Sequence, residues 1–335
     1  MADLRAGLIG LGVMGQNHAR VLASLPGVQL VGVVEPREVA PSARYSNYAP
    51  LYESVEELLD ADVDYCFVAV PTDSHVEVGL HLAQSGVHAL IEKPLATDEV
   101  GARKLAEAFD NSGLIGAVGH IERYNPSLQQ ARVRLSNGEL GDVYQIATRR
   151  QGPFPARIAD VGVVKDLATH DIDLTAWITQ REYLSVSAKT AHRAGRDHED
   201  MVSVVGELDG EVIANHTVNW LSPFKERQTV ITGERGAFVA DMLTGDLTFY
   251  ANGQVAGEWD DLTRFRGVSE GDVIRFAFPK PEPLRTEHET FRDAVLGKQV
   301  DIVTMHQGLD TVRISDAVLE SARLGETVTL DAAQR

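Results

Sequence analysis

Apolar strands and amphipathic helices alternate along the first third of the chain. Near-continuous apolar runs predict buried strands at residues 4–9, 28–34, 63–70, 87–91 and 115–119. Helical periodicity fills the intervals, most clearly at 13–25, 74–84 and 98–111. Repeated strand–helix units of this length favour a parallel, doubly wound sheet. We expect this first domain to span residues 1–122.

The remainder of the chain has a different pattern. Period-2 patterns of apolar and polar residues recur at 143–148, 184–190, 201–207, 212–220, 228–232, 237–241 and 247–251. Helical patterns lie at about 126–135, 166–179, 286–296 and 305–324. Such alternation predicts a mostly antiparallel sheet with one buried and one wetter face. We expect an α+β domain over 123–335 that binds substrate, and a homodimer or homotetramer formed through the open sheet face.

The composition of this α/β protein limits its expected partners and cellular location. The 335 residues carry a net charge of −18, which argues against nucleic acid or an anionic membrane as a partner. No apolar run approaches the length that spans a bilayer, and the N-terminus lacks a signal-peptide pattern. The single cysteine, Cys66, lies in an apolar run, so no disulfide framework forms and a cytoplasmic location is expected.

A glycine pattern joins the first strand to the first helix. Gly10, Gly12 and Gly15 give the spacing G-x-G-x-x-G between a strand and a helix, which is the context of a dinucleotide fingerprint and a Rossmann domain. The backbone at the helix start would hold the pyrophosphate, and the intervening Val13 and Met14 are expected to contact the cofactor. A plain turn is the alternative interpretation, since glycines mark turns.

Further cofactor contacts are expected where later strands end. Glu35 ends the second strand, twenty residues after Gly15. A carboxylate at this place accepts hydrogen bonds from the ribose hydroxyls and repels a 2′-phosphate. NAD is therefore expected rather than NADP, although Arg37 lies two residues on and would soften that preference. Pro71, Thr72 and His75 follow the next strand and are also candidates for cofactor contact. Turn and capping chemistry is the alternative for this last group.

Glu92-Lys93-Pro94 lies where the predicted strand at 87–91 ends. Ligands of doubly wound sheets bind at this edge, so Glu92 and Lys93 are expected to contact the cofactor. The Lys93 ammonium would donate a hydrogen bond to a substrate oxygen and stabilise a developing alkoxide. A solvated loop lysine is the alternative.

A histidine flanked by two carboxylates marks the helix at 166–179. Asp166 and His170 share a helical face, and Asp173 lies one turn further on. Neighbouring carboxylates raise the pKa of a histidine and orient it, which suits a general base. Helix capping by the acidic residues is an equally good interpretation. A metal site lacks a convincing third ligand, so no metal is expected.

Two more segments carry charge that bears on substrate. Residues 149–165 contain four basic side chains against one acid, a local charge of +3 in an acidic chain. Its arginines would bind a phosphate, or they are ordinary solvated side chains. The cluster at 197–200, with two aspartates, a histidine and a glutamate, is interpreted as a solvated loop. The residues expected to contact substrate are Glu122, Arg123, Tyr124, Asn125, Arg150, Arg157, Asp166, His170 and Asp173.

Taken together, these motifs resemble the glucose–fructose oxidoreductase / inositol dehydrogenase (Gfo/Idh/MocA) family over nearly the whole chain. The motifs on which the resemblance rests are the glycine turn, Glu92-Lys93-Pro94, Arg123-Tyr124-Asn125-Pro126 and the helix from Asp166 to Asp173. The segments 119–126, 152–158, 160–168, 197–200 and 219–221 are similar to the UDP-N-acetylglucosamine 3-dehydrogenase subgroup. The resemblance implies a Rossmann domain followed by an α/β domain with an open sheet. It also implies that Lys93, Asp166 and His170 form the catalytic trio.

The implied activity is NAD-dependent oxidation of a secondary hydroxyl, at C3 of a nucleotide-linked sugar such as UDP-N-acetylglucosamine. One alternative is a dehydrogenase or reductase of inositol or a free sugar. A regulator that senses cofactor or sugar without catalysis is an alternative from another class. Such a regulator would not need both Lys93 and His170.

Overall fold

The computed structural model describes residues 3–35, 48–154, 161–253 and 270–330, which form two compact units. The first unit comprises residues 1–121 and 282–313, and the second comprises 122–281 and 314–335. The expected continuous second domain over 123–335 is therefore corrected, because the segment 282–313 returns to the first unit. The reason is burial: Phe291 lies in one core of the first unit, and Val303 and Met305 lie in the other.

The first unit contains a parallel sheet. Its strands are β1 Leu4–Ile9, β2 Val28–Val34, β3 Leu51–Tyr52, β4 Tyr65–Val68, β5 His88–Glu92 and β6 Gly116–Gly119, in the spatial order β3-β2-β1-β4-β5-β6. Its helices are α1 Val13–Leu22, α2 Val55–Leu59, α3 His75–Gln84, α4 Glu99–Ser112 and α7 Pro283–Val295, and α8 Met305–Leu324 begins in it. This strand order is that of the doubly wound dinucleotide-binding sheet, so the expected Rossmann architecture is confirmed.

Both faces of this sheet are covered. Alternate residues of β1 enter different cores: Leu8 packs in one with Leu22 of α1, and Ile9 packs in the other with Leu105 of α4. Burial on both faces explains why the strands read as continuous apolar runs.

The second unit is built on a nine-stranded sheet. Its strands are β7 Val143–Pro153, β8 Tyr183–Ala191, β9 Met201–Leu208, β10 Val212–Asn219, β11 Leu221–Gly233, β12 Gly236–Asp241, β13 Asp246–Asn252, β14 Glu270–Arg275 and β15 Val328–Thr329. The order is β14-β13-β12-β11-β7-β10-β9-β8-β15, and every pair is antiparallel except β7 with β10. The mostly antiparallel sheet is confirmed, although β14 and β15 were not predicted.

One face of this second sheet is buried and the other is exposed. Val202 and Val204 of β9 pack in a core with Ile172 and Trp177 of helix α6 Thr169–Thr179. Val205, the next residue along β9, is 48% exposed. Helix α5 Pro126–Ser136 also contributes to this core. None of the helices in the described ranges is long and apolar enough to cross a membrane.

Candidate active site

The glycine turn leaves the start of α1 open. Gly10 has φ of 95°, and a Cβ there would lie 2.6 Å from the carbonyl oxygen of Ala69. A Cβ on Gly15 would lie 2.0 Å from the carbonyl oxygen of Gly10. A Cβ on Gly12, by contrast, would meet nothing within 4 Å. Two glycines therefore let helix and strand pack, and Gly12 leaves room for a ligand to approach.

The N-terminus of α1 is suited to an anion. Gly12 is the N-cap residue, no side chain caps the helix, and the first turn contains no acidic residue. The backbone N–H groups and the positive end of the helix dipole are therefore available to a phosphate. Val13 is 61% exposed and Met14 is partly buried at this turn. These features fit the pyrophosphate of a dinucleotide.

Glu35 lies beside this turn. The residue is buried, and its Oε2 accepts a hydrogen bond from the backbone N–H of Leu11 at 3.0 Å. The contact fixes a carboxylate next to the glycines, where the sequence placed a ribose acceptor. Arg37, which was expected to modulate the cofactor preference, lies outside the described residues.

His75 joins two turns at the carboxyl edge of the sheet. Its Nδ1 lies 2.9 Å from the carbonyl oxygen of Pro94, and its Nε2 lies 3.1 Å from that of Val70. Burial lowers its pKa, so the neutral ring donates to one of these carbonyls at a time. Both ring nitrogens face the protein, and these contacts do not support the expectation that the ring contacts the cofactor. Pro71 is exposed and Thr72 begins a short 3-10 turn before α3.

Glu92-Lys93-Pro94 follows β5, and Lys93-Pro94 is a cis peptide. Glu92 is buried: its Oε1 lies 2.9 Å from Nε2 of His18, and its Oε2 accepts from the backbone N–H of Lys93 at 3.1 Å. Hydrogen bonds and the Lys93 charge lower the pKa of Glu92 against the opposing effect of burial. Lys93 alone of the three residues is only partly buried. Glu92 therefore supports the turn from inside.

In the second unit, α6 begins with an unexpected turn. Val164–Ala168 is a π-helical turn, whereas the sequence predicted an ordinary α-helix from Asp166. Such turns are rare and recur at functional sites. Asp166 is partly buried on this turn, and His170, on the following α-helix, is 8% exposed. The structure thus brings the two predicted catalytic residues of this unit to one short stretch.

Glu199 caps that turn from a distant part of the chain. Its Oε1 accepts from the backbone N–H of Val164 at 2.9 Å, and its carbonyl oxygen accepts from Val163 at 3.0 Å. Glu199 and Asp200 are buried, so the interpretation of residues 197–200 as a solvated loop is wrong for these two. Sequence reasoning missed the capping role, because the acceptor and its donors are more than thirty residues apart.

Two ion-pair groups occupy the interior of the second unit. Arg123 donates to both oxygens of Asp173, at 2.8 and 2.6 Å. Arg150 is 1% exposed; its Nε donates to Asp171 at 3.1 Å and its Nη1 to Glu122 at 2.7 Å. The two carboxylates raise the pKa of Arg150, while burial raises that of Asp171 to about 6. These partners lie within the protein, so contact of the four candidate side chains with substrate stays a prediction.

Two other candidates in this region also have internal positions. The Asn125 side chain accepts from the backbone N–H of Ser127 at 3.1 Å, which caps α5, and donates to the carbonyl oxygen of Met242 at 2.9 Å. Tyr124 is 5% exposed. Arg227, which the sequence did not single out, donates to Glu122 at 3.1 Å. Arg157 lies outside the described residues.

Metal ligation has no support in the ranges that the structure describes. No group of three or more His, Cys, Asp or Glu side chains in those ranges is arranged to hold a metal ion. The site residues that are described offer hydrogen-bond donors, acceptors and helix-terminal N–H groups instead.

The parallel sheet and open glycine turn define a dinucleotide-binding protein. Residues 4–120 match the family model for an oxidoreductase family with an NAD-binding Rossmann fold, and residues 128–239 match the GFO/IDH/MocA C-terminal domain. The chain belongs to the GFO/IDH/MocA family of oxidoreductases. Its first unit is an NAD-binding Rossmann domain, and the expected cofactor, NAD, is confirmed.

Individual relatives agree on the class of reaction and differ in substrate. The UDP-N-acetylglucosamine 3-dehydrogenase of Acidithiobacillus ferrooxidans is 32% identical over 254 residues, which is 76% of this chain and 79% of that protein. A solved structure of that enzyme has a TM-score of 0.84 at 27% identity, covering 97% of this chain and 99% of the other. The scyllo-inositol 2-dehydrogenase (NAD(+)) of Bacillus subtilis is 29% identical over 346 residues, 98% of this chain and 97% of that protein. The expected enzyme class, a dehydrogenase acting on CH–OH, is confirmed.

Proposed function

We propose that this protein oxidises C3 of a nucleotide-linked sugar of the UDP-N-acetylglucosamine type and uses NAD as the acceptor. The observation that carries the proposal is Lys93, a partly buried cation on a turn that Glu92 supports, at the carboxyl edge of the NAD-binding sheet. A cation at that edge suits an oxygen that gains negative charge as a hydride leaves. The relative with this substrate matches three quarters of the chain.

NAD, when bound, accepts the hydride. The backbone at Gly12 would bind its pyrophosphate, and Glu35 would accept from its ribose hydroxyls. In the proposed mechanism Lys93 donates a hydrogen bond to the reacting oxygen and stabilises its developing charge. His170 takes the hydroxyl proton as general base.

Asp166 is the carboxylate that we assign to orient His170. The other candidate, Asp173, already accepts two hydrogen bonds from Arg123. Its charge is therefore balanced within the second unit, and it anchors the helix on which His170 lies.

A second candidate function is oxidation of inositol or a free sugar. The scyllo-inositol dehydrogenase matches nearly the whole chain, which favours it. The buried partners of Arg150 also weaken the case for a phosphate site in the basic segment 149–165. Lys165 is paired with Asp316 at 2.5 Å, and Arg149 with Glu226 at 3.4 Å. Substrate choice therefore has to be measured directly.

The test is a substrate panel that follows NADH absorbance. UDP-N-acetylglucosamine, N-acetylglucosamine, myo-inositol and scyllo-inositol are compared at equal concentrations of NAD. We expect the highest kcat/KM for the UDP-sugar, because a site that pairs the diphosphate loses those contacts with a free sugar. A higher kcat/KM for either inositol would overturn the proposed substrate and establish the second candidate.

Two substitutions test the proposed roles. Lys93→Met and His170→Ala should each lower kcat by about 10²–10⁴-fold, while NAD still quenches or shifts protein fluorescence as in the wild type. The controls are Lys104→Met and His306→Ala, which change exposed side chains of the same types. Near-normal turnover of both Lys93→Met and His170→Ala would exclude this mechanism.

Three further expectations belong to the proposal. Glu35 should make NAD preferred over NADP, and Glu35→Ala should narrow that preference.

The exposed face that carries Met201, Val205 and Ile213 would join subunits into a homodimer or homotetramer, and sedimentation of a stable monomer at micromolar concentration would reject this. Cys66 is free and buried, in keeping with a cytoplasmic protein.

A further inference from the structure

Two buried histidines lie behind the lysine turn of the first unit. Nε2 of His18, on α1, lies 2.9 Å from Oε1 of Glu92. Nδ1 of the same ring lies 2.8 Å from Nε2 of His288, on α7. Both rings are fully buried. A continuous chain of hydrogen bonds therefore runs from α7 through α1 to Glu92, whose second oxygen accepts from the Lys93 backbone.

The ionisation states fix the direction of these hydrogen bonds. Glu92 is ionised, because its contacts hold its pKa below the ordinary value, and a carboxylate only accepts. Nε2 of His18 must therefore donate to it. Burial keeps His288 neutral by lowering its pKa, so one of its two ring nitrogens carries the proton.

The remaining choice concerns that proton. Nδ1 of His288 is buried and has no hydrogen-bond partner among the described residues. An orphaned buried N–H is rarer and costlier than an unpaired acceptor, so Nδ1 carries the lone pair. His288 then donates from Nε2 to Nδ1 of His18, and His18 donates from Nε2 to Glu92. Every bond in the chain points toward the lysine turn.

Aromatic packing holds the rings in this arrangement. Phe67 of β4 stacks on His288 with ring centroids 3.9 Å apart and an interplanar angle of 19°. It also contacts the ring of His18 at 5.2 Å. Neither imidazole has room to turn away from its partner without opening this cluster.

Other charged groups border the chain. Glu287, on α7, is fully buried, neither of its carboxylate oxygens has a hydrogen-bond partner within the described ranges, and burial beside Glu92 raises its pKa well above the ordinary value. This environment therefore disfavours a charge on Glu287 that would compete with Glu92. Burial and His18 act on both Glu92 and His288; in addition, the Lys93 ammonium lowers the pKa of Glu92, and Arg20 of α1 lowers that of His288.

We propose that His18 and His288 are positioning residues: their directed hydrogen bonds hold the Glu92 carboxylate as the acceptor that orients Lys93. The inference rests on the proposed role of Lys93 in the reaction. His288 belongs to the segment that returns to the first unit, so a residue far along the sequence sets the placement of the lysine. Nothing in the local sequence around Lys93 indicates this dependence.

The first test reads the hydrogen bonds without any turnover. Histidine-labelled protein is examined by long-range ¹H–¹⁵N NMR, with His18 and His288 assigned by substitution. Each ring should carry its proton at Nε2 and a lone pair at Nδ1. Protonation of His18 at Nδ1, or of His288 at Nδ1, would overturn the proposed direction.

The second test measures placement of the lysine. His288→Leu keeps the volume and loses the hydrogen bond, and His288→Gln retains a donor. Amide hydrogen exchange at Lys93 should rise by about tenfold or more in His288→Leu, with Leu90 and Ile91 of β5 unchanged and with rescue in His288→Gln. The control His306→Leu, at an exposed site, should change none of these. A uniform increase in exchange over the whole first unit, or no increase at Lys93, would reject the proposed role of His288 in positioning Lys93.

Kinetics then separate this inference from the proposed function. With UDP-N-acetylglucosamine, His288→Leu should lower kcat by about tenfold while KM for NAD stays within about twofold, since displacement of a catalytic group costs turnover. Full activity of His288→Leu beside an inactive Lys93→Met rejects the inference alone. Full activity of Lys93→Met rejects the proposed function, while the NMR and exchange results still decide the histidine chain.

Discussion

Arg123 donates to both carboxylate oxygens of Asp173 in the interior of the second unit, from Nε at 2.8 Å and from Nη2 at 2.6 Å. Both side chains are almost completely buried. Asp173 lies three residues after His170 on α6, so this ion pair ties the candidate base to the turn that precedes α5. Its geometry is the two-point form that only arginine provides.

Removal of one partner should therefore be costly. Asp173→Asn leaves the Arg123 charge buried without its counterion, and we expect a loss of about 3–5 kcal/mol in the free energy of unfolding. Urea denaturation measures it. The double variant Arg123→Met with Asp173→Leu should lose less than Asp173→Asn, because no charge stays buried. A loss below about 1 kcal/mol in Asp173→Asn would show that the pair is not desolvated in solution.

Two glycines of the cofactor turn should respond differently to the same substitution. Gly15→Ala places a methyl group 2.0 Å from the carbonyl oxygen of Gly10, so helix and strand must separate and the melting temperature should fall by several degrees. Gly12→Ala meets no protein atom within 4 Å, so the fold should be retained. The methyl group instead occupies the approach of the pyrophosphate, and calorimetry should show weaker NAD binding by at least about tenfold. Wild-type affinity in Gly12→Ala would contradict this assignment.

The cap on the π turn gives a third prediction. Glu199→Ala removes the acceptor of the Val164 N–H and should lower stability by about 1–3 kcal/mol. Glu199→Gln keeps an oxygen there and should lose less. Gly162→Ala would put a Cβ within 2.1 Å of the Glu199 carboxylate and displace it. Its effect should therefore not add to that of Glu199→Ala, and chemical denaturation of the double variant checks this.

Acid should destabilise the second unit through a buried histidine. His216 lies between Thr148 and the Tyr183 hydroxyl, each at 2.7 Å, and burial lowers its pKa to about 3. Because the unfolded chain binds a proton near the ordinary histidine pKa of about 6.5 and the folded protein does not, stability is full above that pH and falls below it. The loss reaches about 2 kcal/mol at pH 5.

The measurement is the free energy of unfolding between pH 7 and pH 5. Asp171, with a pKa of about 6, also titrates in this window, but it does so in both the wild type and the variant. His216→Gln should show a slope smaller by about 0.7 proton on average over this window, rising toward one proton at pH 5. His75 and His288, whose pKa values burial also lowers, keep their share of the slope in both proteins. If His216→Gln has the same slope as the wild type, the His216 ring of the wild type is protonated in the folded state.

The sequence predicted most elements because each carries its own periodic signal. Continuous apolar runs identified the parallel strands, and alternation identified strands such as β9, where every second residue is buried. The edge strand β15 has only two residues and carries no such signal. The π turn at Val164–Ala168 was missed because π- and α-helical turns use the same residue types.

The other differences between the sequence-based predictions and the structure come from contacts between residues that are far apart in the sequence. The amphipathic pattern of α7 showed that one face is buried, but a pattern on one helix does not say which core receives it. The same holds for Arg150: it is one of four basic residues in the segment 149–165 that suggested a phosphate site, whereas Glu122 and Asp171, outside that segment, neutralise its charge. Motif positions were visible in the sequence, and the contacts that support them were not.

The return of residues 282–313 to the first unit also determines when that unit can finish folding during synthesis. Tyr65 and Phe67 leave the ribosome early, yet their ring partner Phe291 is added after β14 has been made. Folding from the N-terminus during translation therefore stops short of a finished NAD domain. An isolated fragment of residues 1–122 would carry the same open aromatic surface, so the cofactor-binding half of this enzyme is not a detachable module.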